Sequence, residues 1–252
     1  MNTEYLNRAR LLLGDAAMER LSAVRVILFG VGGVGSWCAE ALVRTGVEHL
    51  TIVDSDCVAA SNVNRQLPAT SLTVGRPKVE VLRERLLEIN PEAEITALQK
   101  MFCTETADDF ALGDYDFVMD AIDSLRDKAL LINRTCATPA VLLSSMGAAQ
   151  KLDPTRIRTA EFRKVTGDPL ARALRNRFKR EGNFPQKKFI CVFSDERVPH
   201  AGTAADDEPL LFGKRQANGS LVHITAVFGM TLAGLVVQTI VSSGSTTSPS
   251  FK

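Results

Sequence analysis

No two of the five cysteines, Cys38, Cys57, Cys103, Cys136 and Cys191, stand in a Cys-x-x-Cys pair. That absence excludes a zinc ribbon and a thioredoxin-type redox motif. Their odd number and irregular spacing point to free thiols in a reducing compartment. The N-terminal MNTEYLNRARLLLG is charged throughout and has no unbroken apolar core before a cleavage site. No signal peptide is read there, and a cytoplasmic location is expected. Internal repeats are absent, and so is any sizeable net charge: 30 Lys and Arg stand against 29 Asp and Glu. The charge is unevenly spread, however. Residues 156–188 hold 11 Lys or Arg against 3 Asp or Glu, a local excess of +8, which points to a polyanionic partner.

What is present is an alternation of apolar runs and helical patterns. A chain of 252 residues, 45% hydrophobic, is long enough for one large α/β domain with a smaller appended region. Strands are expected at Val24–Phe29, Leu50–Val53, Ile95–Gln99, Phe117–Met119 and Ala140–Leu143. Helices are expected from Thr3 to Leu21, from the glycine turn to Arg44, from Gly75 to Asn90 and over Arg126–Ala137. This order predicts a Rossmann-like, doubly wound, mostly parallel sheet over residues 1–145. Residues 146–242 read as a smaller α+β region, with an alternating strand at Ile157–Phe162 and a basic helix opening at Asp168-Pro169. Residues 243–252 read as a flexible tail, and His200 to Ser220 as a polar, Gly-rich mobile loop. Leu221–Val241 is long enough to span a bilayer, but His223, Thr225, Thr231, Gln238 and Thr239 interrupt it. It is read as a buried core or interface helix, with Gly229 and Ala233 allowing close helix approach; membrane association is not expected.

The chemistry begins at Val26–Gly35, an apolar strand running into Gly30-Val31-Gly32-Gly33-Val34-Gly35. A turn without β-carbons brings backbone N–H groups against a phosphate chain at a helix N-terminus. Asp54 ends the next strand, where a carboxylate accepts hydrogen bonds from ribose hydroxyls. These features alone fit NAD as well as ATP. The next loop decides between them, because Asp54, Asp56, Asn62, Asn64 and Arg65 lie within it and Lys78 follows. A triphosphate under attack needs its β and γ oxygens neutralised as pyrophosphate leaves. Arg65 offers a planar fork and Lys78 a point charge. Asp120 and Asp123, at the end of the fourth strand, are expected to face the same crevice. Asp123 is read as a Mg²⁺ ligand or as the N-cap of the following helix.

The GVGGVG turn, Asp54, SNVNRQ, VGRPKVE around Lys78, INP at 89–91 and DAIDS around Asp123 together resemble the ThiF/MoeB superfamily, relatives of the ubiquitin-activating enzymes. The resemblance implies adenosine held by Gly30, Gly32, Gly33, Gly35 and Asp54, and phosphates held by Asn62, Arg65 and Lys78, with Asp56 beside them. It implies Mg²⁺ near Asp123, a homodimer, and a catalytic arginine reaching the partner subunit's ATP. Arg10 is similar to that arginine, with Arg8 as the alternative. The second half lacks paired zinc cysteines. Its LDPTRIRTAEF, DPLARALRNRFKR, CVFSDE and GSLVHITAVFGMTLAG segments resemble the tRNA threonylcarbamoyladenosine dehydratase (TcdA/CsdL) family. Membership implies ATP-dependent adenylation of a carboxylate on modified tRNA followed by cyclisation. Arg172, Arg175, Arg177, Lys179 and Arg180 would then track tRNA phosphates. The alternatives are an adenylating activator of a ubiquitin-like or sulfur-carrier protein, and a non-catalytic sulfur-relay scaffold working with a cysteine-desulfurase/sulfur-acceptor system. Cys191 is read as buried rather than as a sulfur carrier.

Overall fold

The computed structural model describes residues 4–202 and 218–243. Seven strands form one sheet: β1 (Arg25–Phe29), β2 (His49–Val53), β3 (Glu94–Leu98), β4 (Phe117–Asp120), β5 (Val141–Ser145), β6 (Ile157–Glu161) and β7 (Ile190–Ser194). Their order is β3-β2-β1-β4-β5-β7-β6. Every pairing is parallel except that of edge strand β6 with β7. The α/β class and mostly parallel sheet are those expected. The sheet does not stop at residue 145, because β7 lies beside β5 and carries β6 with it.

Side chains of alternate residues point to opposite faces of a strand, so one apolar strand serves two cores. Val26 and Leu28 enter a core under the helices α2 (Asp15–Ala23), α3 (Gly35–Thr45), α4 (Lys78–Ile89) and α7 (Val222–Ser243). Ile27 and Phe29 enter the other, under α5 (Leu125–Cys136) and α6 (Pro169–Glu181). Phe29 meets Phe102 and Phe110 edge-on at 4.9 and 5.1 Å between ring centroids.

Three expectations about the helices need correction. The N-terminal helix is two helices, α1 (Asn7–Leu13) and α2, broken at Gly14. Gly14 has φ +79°, a conformation that favours glycine, and its N–H closes α1 on Arg10 O. The helix expected from Gly75 begins at Lys78 instead, with Pro77 as its N-cap at non-helical ψ 130°. Ser124, not Asp123, caps α5: its hydroxyl accepts from Asp127 N. The expected start at Thr3, most of the expected loop 200–220 and the tail beyond 243 lie outside the described residues.

Helix α7 packs chiefly on α3, and also on α2, β5 and β7. A Cβ on Gly229 would overlap Val34 O and lie 2.8 Å from Cys38 N. The two helix backbones therefore touch where only hydrogen fits. Half of the most apolar window of α7 is buried against the rest of the protein.

Candidate active site at the glycine turn

The turn between β1 and α3 is the hub on which the other loops converge. Gly30 has φ +85°, and a Cβ there would come 2.8 Å from Ala121 O, so the loop after β4 lies directly against it. At Gly35 a Cβ would overlap Gly30 O. The turn can close this tightly only without side chains, and its own carbonyls take two of the first α3 amides, Ser36 N donating to Gly32 O and Cys38 N to Val34 O, each at 3.1 Å. Gln66 packs over Gly32, its Nε2 3.6 Å from where a Cβ would be, and Thr225 of α7 packs over Gly33, its Cγ2 3.1 Å from where a Cβ there would be.

Asp54 ties the second loop to the turn. Its carboxylate accepts from Val31 N at 2.8 Å and from Asp56 N at 2.9 Å. Burial raises its pKa above the usual carboxylate value, against the opposing pull of Lys78 and of these two amides. Lys78 is buried, and its Nζ sits 2.8 Å from Asp56 Oδ2. Asp54, Asp56 and Lys78 thus form one electrostatic cluster beside the turn.

Arg65 is held from both ends. Its guanidinium donates to Ser61 O at 2.9 Å and Asn64 Oδ1 at 3.0 Å. Its carbonyl accepts from Trp37 Nε1 at 3.2 Å and from Thr225 Oγ1 at 3.5 Å. Asn62 is buried, with its Oδ1 accepting from Ala59 N. Asp123 is exposed on the loop that backs onto Gly30. Asp120 does not face the crevice with it. Asp120 is wholly buried and paired with Lys128 at 2.8 Å, because β4 has neighbours on both sides and helices over both faces.

The remaining expected residues lie elsewhere. Arg10 is on α1, its Nη1 2.6 Å from Asp15. On α6, Arg175 donates to Phe162 O at 3.2 Å and Arg177 pairs with Glu181 at 2.9 Å, so both serve the fold. Arg172, Lys179 and Arg180 are exposed. Cys191 is fully buried, and burial pushes its thiol well above the usual range; burial likewise pushes Cys136 to about 11. A cavity of about 600 Å³ lined by Arg20, Tyr115, Asp116 and Val141 opens elsewhere and contains none of the glycine-turn cluster.

The sequence profile of the ThiF family matches residues 6–251. The chain belongs to that family. It is 38% identical over 237 residues to the tRNA threonylcarbamoyladenosine dehydratase of Bacillus subtilis, covering 92% of each chain. Among solved structures it is similar to that of the Escherichia coli tRNA N6-threonylcarbamoyladenosine dehydratase TcdA in complex with ATP, with TM-score 0.84 and 31% identity. The AMP complex of the same enzyme gives 0.84 and 33%, and both comparisons cover 95% of each chain.

Within this ThiF-family site, motif reading gives no role to Trp37, Gln66 or Thr225, which hold the Arg65 loop on the turn. It also passes over Lys128. That lysine shares the buried face of α5 with Leu131, Ile132 and Thr135, a helical i, i+3, i+4, i+7 pattern in which a charged member stands out.

Proposed function

We propose that this protein adenylates the threonyl carboxylate of threonylcarbamoyladenosine in tRNA and then cyclises it. The carrying observation is the convergence of Asp54, Lys78 and the Arg65 loop on one glycine turn, in a chain so similar to named dehydratases. A substrate carboxylate oxygen attacks the α-phosphorus of ATP and pyrophosphate leaves. A nucleophile in the same substrate side chain then attacks the activated carbonyl carbon, and AMP departs with the former carboxylate oxygen. Tethering gives the second step an effective molarity on the order of 10⁵ M or more when well oriented.

In this reading Gly30, Gly32, Gly33 and Gly35 admit the phosphates, and Asp54 takes the ribose. Asn62, Arg65 and Lys78 meet the phosphate oxygens, with Asp56 presenting Lys78. Asp123, an exposed carboxylate on the loop that backs onto Gly30, would hold a Mg²⁺ ion in this reading. Among the described residues no three His, Cys, Asp or Glu side chains gather as a metal cage. Phosphate oxygens and water would complete the shell, and the ion would neutralise charge on the departing pyrophosphate.

Arg10 acts across a homodimer. Support comes from its neighbours Leu11 and Leu12, which are 87% and 83% exposed on the same short helix and so suit burial against a second copy. The cytoplasm is the proposed location. A sulfur-transfer partnership is the alternative, and the burial of Cys191 weighs against a thiol carrier there.

The deciding assay is pyrophosphate release from ATP with modified tRNA, with unmodified tRNA and with neither. Release only with modified tRNA supports the dehydratase. Release without any tRNA requirement turns the reading toward activation of a carrier protein.

Region 146–242 supplies the tRNA contacts in this reading, chiefly through the exposed Arg172, Lys179 and Arg180. Changing Arg172, Lys179 and Arg180 to Glu is expected to weaken tRNA binding at least tenfold. The slope of log K against log salt should flatten by roughly one per lost phosphate contact. ATP affinity should not move, and parallel loss of both would remove α6 from the tRNA surface.

A further inference from the structure

Lys128 and Asp120 are each completely buried, and their charges meet at 2.8 Å between Nζ and Oδ2. Desolvation makes such a pair a poor source of stability, and apolar residues of similar size often replace it without loss. What apolar residues cannot supply is direction. Lys128 Nζ donates to Ile122 O at 2.8 Å, while Asp120 Oδ1 accepts from Ile122 N at 3.1 Å. Ser144 Oγ of β5 donates to Asp120 Oδ2 at 2.7 Å and fixes the carboxylate in turn.

Both polar groups of Ile122 are therefore set by one buried ion pair. The Ile122 carbonyl belongs to the peptide that carries Asp123, so its orientation sets the backbone angle from which the Asp123 side chain departs. On its other side this loop rests on the glycine turn: Ala121 N donates to Phe29 O at 2.9 Å, and Ala121 O closes on Gly30.

We propose that the Asp120–Lys128 pair, locked by Ser144, is a positioning device that aims Asp123 at the cation of bound nucleotide. The inference rests on the adenylation reading only for the identity of that nucleotide. Removing one partner leaves an unpaired buried charge, so the test uses the double variant Asp120→Leu/Lys128→Met in the full chain. Three quantities are read: thermal unfolding, ATP affinity with and without Mg²⁺ through the fluorescence of Trp37 (the chain's one tryptophan), and kcat and KM for pyrophosphate release with modified tRNA.

Expected is a folded protein that binds ATP without Mg²⁺ within about threefold of the parent but gains little affinity when Mg²⁺ is added. Its kcat should fall by roughly 10- to 100-fold, as when other ligand-orienting partners are lost, at unchanged KM for tRNA. Retention of both the Mg²⁺ response and kcat would overturn the proposal. So would a parallel fall in Tm, Mg²⁺-free ATP affinity and kcat, the mark of a purely structural pair. Ser144→Ala keeps both charges and decides the matter if the double variant does not fold. A kcat lower on the order of fivefold at unchanged Mg²⁺-free ATP affinity supports positioning, and an unchanged kcat overturns it. If the parent itself releases no pyrophosphate with modified tRNA, the adenylation reading fails, while the Mg²⁺-dependent ATP binding of the variants still judges the pair.

Discussion

Replacing Lys78 with methionine is expected to reduce tRNA-dependent pyrophosphate release by about 100- to 1,000-fold, the usual cost of removing one preorganised charge at a reacting centre. Methionine keeps the length and bulk of the buried stem, so the first turn of α4 should stay in place. What disappears is the positive charge 2.8 Å from Asp56 and within reach of Asp54. In the proposed reaction the departing pyrophosphate then meets Asp54 and Asp56 without that ammonium. KM for modified tRNA should change little under the proposed role, in which the lysine meets ATP; a variant that keeps kcat but raises KM would remove Lys78 from the phosphate site.

The same substitution has a pH signature. Asp54 titrates above the usual carboxylate value because burial disfavours its charge, and Lys78 opposes that shift. Without Lys78 the folded-state pKa of Asp54 moves further up, while the unfolded value stays put. The folded variant then binds more protons than the unfolded chain in the window between those two values. Stability therefore falls as pH rises through that window. The Tm deficit of Lys78→Met should accordingly be largest near neutral pH and narrow as pH is lowered through the folded pKa of Asp54. A deficit that widens on acidification would show that the lysine acts on some other group.

The parts of this site that were legible in the sequence are those whose chemistry is local. A buried strand running into glycines at 30, 32, 33 and 35 has few uses other than a phosphate-binding turn, and Asp54 follows at the next strand's end. Long-range packing was less visible. β7 inserts between β5 and β6, and nothing in the run Phe189–Phe193 specifies its neighbours. Asp120 was expected in the crevice because it ends a strand, but a central strand is enclosed on every side, and its last carboxylate found a buried lysine instead. The basic helix shows the same limit. Five cations look alike in sequence, yet Arg175 and Arg177 face groups of the protein while Arg172, Lys179 and Arg180 face solvent.

Two glycines of α7 should respond to alanine in opposite ways. At Gly229 the new methyl would overlap Val34 O and lie 2.9 Å from Trp37 Cβ, and the overlapped atom is backbone, which no rotamer change moves aside. Overpacking of this kind costs about 2 kcal/mol or more, even after the helix-propensity gain of alanine, or roughly 4–8 °C in Tm for a chain of this size. The damage should reach the active site, because α7 carries Thr225, which packs on Gly33 and donates to Arg65 O. ATP affinity should weaken together with Tm, and Trp37 fluorescence should report the shift. At Gly234, five residues along the same helix, no atom lies within 4 Å of the added Cβ. Alanine there should stabilise the isolated chain by about 0.5–1 kcal/mol through helix propensity alone. If Gly234→Ala instead destabilises the protein and its effect vanishes on dilution to monomer, the outward face of α7 is covered by a second copy. If Gly229→Ala is harmless, α7 does not press on α3 as described, and the clamp on Arg65 loses its support.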